Sequence, residues 1–85
     1  MSLPDYTKDI IDAYVADGFP PGDFVTAVLA NDLMEAFGHA DDNNRAAMFD
    51  ICCYVYNSIP GACHGSYEKV GAWIDRKQHD RDNPG

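Results

Sequence analysis

Residues 46–56 read AAMFDICCYVY, in which ten of eleven positions are apolar or aromatic and Asp50 is the sole charge. A run of this length suits a buried strand as well as a buried helix, because periodicity alone does not separate the two. The flanks decide. Asp41, Asp42, Asn43 and Asn44 precede the run, and such side chains accept hydrogen bonds from the unpaired N–H groups at a helix start. Carboxylates there also suit the positive end of the helix dipole. Ile59-Pro60-Gly61 follows, and proline cannot continue a helix and disfavours helical geometry in the residue before it. The pattern predicts a helix over 42–58. Its apolar side chains reach nearly all the way round, leaving one polar line of Asn43, Asp50 and Asn57 at the seven-residue repeat. So narrow a wet edge predicts cover on most sides. The run is too short, and carries a charge, to be a membrane span.

The segments before it read as its cover. Tyr6, Ile10, Ile11, Tyr14 and Val15 share one face of an amphipathic helix over 4–17, with Pro4 in its first turn and Ser2 as a candidate cap. Gly18 ends that helix, and Phe19-Pro20-Pro21-Gly22 is a stiff turn. Asp23 opens a helix over 22–37, whose main apolar face is Val25, Leu29, Leu33, Ala36 and Phe37. Phe24 and Val28 lie off that face, one turn apart and beside the acids Asp32 and Glu35. Gly38 closes it. Beyond Pro60, residues 61–65 form a loop and Ser66 caps a last helix over 66–78 with Tyr67, Val70, Trp73 and Ile74 on one face. Residues 79–85 are polar and expected to fray. The fold class predicted is therefore all-α: one domain over 1–85, a compact bundle of four short helices around the central apolar helix.

Eighty-five residues bury roughly 60–65% of their unfolded surface, so a single core is feasible but marginal, and association between copies is a usual remedy. The net charge is −8, and residues 1–44 hold nine acids against Lys8 alone, whereas residues 45–85 hold five acids and five bases. That balance argues against nucleic acid as a partner, which calls for a basic stripe. It fits either an acidic face for a basic partner or a solvated surface that keeps a small protein soluble. No basic and apolar leader of the secretory kind opens the chain. Three cysteines, two of them adjacent, do not make a disulfide framework, which points to a reducing, intracellular setting.

Few residues suggest chemistry. Cys52, Cys53, Cys63 and His64 are the only metal-like set, but no C-x-x-C spacing occurs and adjacent helical cysteines diverge by about 100°. Cys63 and His64 remain a weak alternative for a zinc or thiol site; no cofactor is otherwise implied. No catalytic or nucleotide-binding motif is present, so the expectation is a non-enzymatic protein. Arg45 is the one base between Lys8 and Lys69 and a candidate ion-pair partner for Asp41, Asp42 or Asp32. Phe24 and Val28, if uncovered, would form an apolar patch bordered by acids, a mark of an interface. The candidate binding set is thus Phe24, Val28, Asp32, Glu35 and Arg45.

Residues 20–74 carry Pro-Pro-Gly-Asp-Phe, Asn-Asp-Leu, Ala-Asp-Asp-Asn-Asn-Arg, Tyr-Asn-x-x-Pro and Gly-Ser-x-Glu-Lys-Val-x-Ala-Trp-Ile. This stretch resembles small uncharacterised proteins encoded by tailed bacteriophages. The resemblance implies a context, the cytoplasm of a bacterial host, and no activity or functional residue. The leading expectation is an accessory protein that binds a host or phage protein, or itself, through its acidic N-terminal half. The alternative is an oligomeric binder that sequesters a small ligand such as a nucleotide signal, which would need Arg45, Lys69, Arg76, Lys77 and helix N-termini to gather at one place.

Overall fold

The computed structural model describes residues 3–82; Ser2, the candidate cap of the first helix, lies outside them, as do residues 83–85. Every regular element among the described residues is helical: α1 Asp5–Asp17, α2 Gly22–Leu29, α3 Leu33–His39, α4 Asp42–Ala46, α5 Met48–Ser58, a 3-10 turn at Gly61–Cys63, and α6 Tyr67–Asp82. The all-α expectation holds. The arrangement of four helices does not, because two of the predicted helices are each divided.

The division of 22–37 falls at Asn31. Its φ is 62°, a left-handed conformation that asparagine adopts more readily than most residues. The Asn31 N–H donates to the Val28 carbonyl at 3.1 Å, and the Asp32 N–H to the Ala27 carbonyl at 2.8 Å. This pair of bonds is a Schellman termination, which satisfies the last carbonyls of α2. The chain then restarts as α3. Asn-Asp in mid-helix was the sequence signal for a stop, overlooked because both side chains also suit the polar side of a continuous helix.

The division of 42–58 at Ala47 is a bend. The Ala47 N–H still donates to the Asn43 carbonyl at 3.1 Å and the Ile51 N–H to the Ala47 carbonyl at 2.9 Å, although Ala47 itself departs from helical geometry (φ −99°, ψ 12°). No proline or glycine stands there. Ties to α1 hold α4 in its own direction: the Thr7 hydroxyl donates to Asn44 Oδ1 at 2.5 Å and the Tyr6 hydroxyl to Asp41 Oδ2 at 2.8 Å. Asp41 meanwhile caps α4, accepting from the Asn44 N–H at 2.7 Å.

The core corrects the idea of a sheathed rod. Its innermost side chains, Ile11, Tyr14, Leu29, Ile51 and Cys63, come from α1, α2, α5 and the 3-10 turn, each with no exposed surface. From α5 only Met48, Ile51 and Val55 are buried. Phe49 and Tyr56 are each 78% exposed, so α5 forms one wall of the core and its other side is open. Among the described residues, one face of this apolar helix is left without cover.

The last helix closes over the end of α1. Gly18 (φ 73°) terminates α1, its N–H bonded to the Tyr14 carbonyl. A Cβ at Gly18 would lie 2.4 Å from Lys77 Cβ, so α6 passes at a distance only glycine permits. The Trp73 indole N–H is shared between the Tyr14 and Val15 carbonyls at 3.1 and 3.2 Å, and Val15 is among the last four residues of α1, whose carbonyls lack a partner within the regular helix. The Tyr14 hydroxyl donates to the Cys63 carbonyl at 2.8 Å. Helix α6 runs on to Asp82, so residues 79–82 are helical where fraying was expected.

Candidate functional site

The five predicted binding residues do not make an open patch. Val28 is 5% exposed and belongs to the core, and Phe24 is half-buried against it. The polar members are engaged within the chain. Asp32 accepts the Tyr67 hydroxyl at 2.6 Å, and Glu35 pairs with His39 at 3.0 Å. Arg45 pairs with Asp42 at 3.2 Å and donates to the Ala40 carbonyl at 3.2 Å. The wheel placed Val28 off the main face of a long helix, but the turn at Asn31 ends α2 early and all of Val25, Ala27, Val28 and Leu29 become buried.

Cys63 and His64 part company. Cys63 is fully buried, while His64 is half-buried at the surface. Burial pushes the Cys63 thiol up, against a smaller opposing pull from Lys77 and Arg76, and burial likewise raises Cys52. Raised thiols stay protonated near neutrality and are poor nucleophiles and metal ligands. Among the described residues no group of three or more His, Cys, Asp or Glu side chains is placed to hold a metal ion. No helix there is long and apolar enough to cross a membrane.

What the chain does form is a groove of about 610 Å³ alongside α5. Val28, Leu29 and Val55 give it an apolar floor, and Phe49, Cys53 and Tyr56 line it from α5. At the other side stand Asn31 and Leu33 from the α2–α3 turn, and His64, Gly65 and Lys69 where α6 begins. The turn at Asn31 and the loop before α6 are held together by the Gly65 N–H, which donates to the Leu29 carbonyl at 2.7 Å. The volume is within the range of small-molecule sites, roughly 300–1,000 Å³, and the mix of apolar walls with a few polar groups is typical of them.

The groove's electrostatics run opposite to those of the chain. Fourteen side chains are carboxylates, yet none lines the groove. Asp32, between two lining residues, has its carboxylate on the Tyr67 hydroxyl instead. Lys69 lies across Gly65, whose absent side chain leaves room: a Cβ there would be 3.5 Å from the lysine Nζ. Lysine and arginine side chains elsewhere pair with Asp12 or Asp42, or lie over Tyr54, Trp73 or Phe19. The Lys69 ammonium has no carboxylate within 4 Å among the described residues.

Sequence reasoning missed this groove, though a signal existed. Phe49, Cys53 and Tyr56 fall at i, i+4 and i+7, a second apolar stripe beside Met48, Ile51 and Val55. Two stripes on one helix in so short a chain leave one of them without a partner. A scan against protein-family models found no match to this chain. A search of curated proteins found none, and a search of solved structures found none.

Proposed function

We propose that the chain is a non-enzymatic binding protein and that it docks a protein partner on the open side of α5. The observation that carries this reading is the pair Phe49 and Tyr56, each 78% exposed on the helix whose opposite edge is core. Large aromatic side chains are the usual anchors of protein interfaces, and leaving two of them in water is costly unless something covers them. The net charge of −8 selects the partner's chemistry: apolar where it meets the aromatics and basic overall, so that long-range attraction speeds encounter. The setting suggested by the resemblance to tailed-phage proteins is the host cytoplasm.

This reading moves the docking surface from Phe24 and Val28 to α5. The test is capture from bacterial host extract by the wild-type chain, by Phe49→Ser/Tyr56→Ser and by Phe24→Leu, at low and high salt, with sedimentation run in parallel. The expected result is a monomer that retains one basic partner, loses it in the double variant and at high salt, and keeps it in Phe24→Leu. Retention of that partner by the double variant would end the proposal. A concentration-dependent dimer abolished by the double variant would instead make a second copy the occupant.

A further inference from the structure

We infer that the groove beside α5 is a binding site for a small apolar anion, a molecule with a hydrocarbon or aromatic body ending in a carboxylate, and that Lys69 is its charge anchor. The inference goes beyond the docking surface and holds whether or not a protein binds there. Its basis is an opposition of charge: an acidic chain keeps all its carboxylates out of one concavity and places there an ammonium that pairs with none of them. Among the described residues Arg76, Lys77 and Arg81 also pair with no carboxylate, but each lies over an aromatic ring, whereas the Lys69 side chain lies over Gly65, beside the groove it helps to line.

The shape of the ligand follows from the lining. Its anionic head meets the Lys69 ammonium, with the Asn31 amide and His64 imidazole as neighbouring polar groups. Its body lies over Val28 and Leu33 and against Phe49, Cys53 and Tyr56. Cys52, raised by burial, stays an uncharged thiol and adds nothing that would repel the anion. A nucleotide is a poor fit, because a polyphosphate calls for several cations and Lys69 is the single lysine or arginine in the lining.

Calorimetric titration with decanoate, below its micelle concentration, and with uncharged 1-decanol tests the assignment. The expected result is one decanoate per chain, bound roughly tenfold more tightly than decanol, as a charge-assisted contact would give. Lys69→Gln, a change at an exposed position, removes that preference and leaves decanol binding unchanged. Cys53→Trp, which fills the groove, abolishes both, with circular dichroism confirming that each variant is folded. Equal affinity for the two probes, a preference that survives Lys69→Gln, or no saturable binding of decanoate would each overturn the inference. Phe49 and Tyr56 line the groove as well as the docking surface, so Lys69→Gln is the variant that tells the two readings apart: it is expected to lose the decanoate preference and still capture the protein partner.

Discussion

The end of α1 and the outward side of α5 show what 85 residues can and cannot cover. Around Gly18 the packing is closed. A glycine lets α6 come within contact, the Trp73 indole donates to the Tyr14 and Val15 carbonyls of α1, and Tyr14 bridges to the 3-10 turn. No buried side-chain nitrogen or oxygen among the described residues is left unpartnered. Along α5 the opposite holds, since two aromatic rings stand in water above a groove. The difference teaches that closure is local: the two most exposed aromatic rings stand on one face of α5, where covering them would take another element. Stability is therefore expected to reside at the first region and binding at the second, and substitutions can separate them.

The largest effect is expected at Gly18. Alanine there takes on the strain of a left-handed backbone and a Cβ 2.4 Å from Lys77 Cβ. The near atom is the root of the lysine side chain, not its mobile end, so α6 as a whole must shift. Strain and overpacking together are expected to cost about 2–5 kcal/mol, read as a lower urea midpoint. A midpoint unchanged by Gly18→Ala would mean that α6 does not pack against the end of α1.

Tyr14→Phe is expected to cost somewhat less, about 1–3 kcal/mol, because it removes the donor from the buried Cys63 carbonyl. The same hydroxyl gives a pH signature. Burial raises Tyr14 above its ordinary value, and hydrogen bonds to Asp41, Asp12 and Asp32 raise Tyr6, Tyr54 and Tyr67, the last to about 12. A raised tyrosine binds its proton more tightly when folded. Its contribution is complete below about pH 10 and is lost as pH rises through the folded value. The raised Cys52 and Cys63 thiols act in the same direction from about pH 9, so unfolding midpoints should fall from about pH 9 upward, and less steeply above about pH 10 in Tyr14→Phe; parallel slopes above about pH 10 would remove Tyr14 from the account.

How much of this was legible depends on the range of the signal. Gly18 as a helix stop, Asp41 as a cap and Pro60 as a terminus are local chemistry, and each stands where the residues put it. The turn at Asn31 is also local, but Asn-Asp reads two ways and only the surroundings choose. The bend at Ala47 has no local cause at all: ties from Thr7 and Tyr6, some 35 residues or more away in sequence, direct it. The groove was hidden for the same reason. Its two sides, α5 and the start of α6 against the α2–α3 turn, come together through long-range contacts such as Gly65 to Leu29, and the unpaired state of Lys69 is a property of space that no spacing encodes.

The smallest expected effect on stability is on the open side, and it sharpens the contrast most. Phe49 and Tyr56 keep over three quarters of their surface in water, so truncating them gives up little burial. Surface changes of this kind usually stay within about 0.5 kcal/mol, and serine has nearly the same helix propensity as the phenylalanine and tyrosine it replaces. Phe49→Ser/Tyr56→Ser should thus unfold at nearly the wild-type urea midpoint while losing its partner. If it proves strongly destabilised instead, the two rings are part of the closed structure, the outward side of α5 is covered in solution, and the division between a stabilising and a binding region fails at its second term.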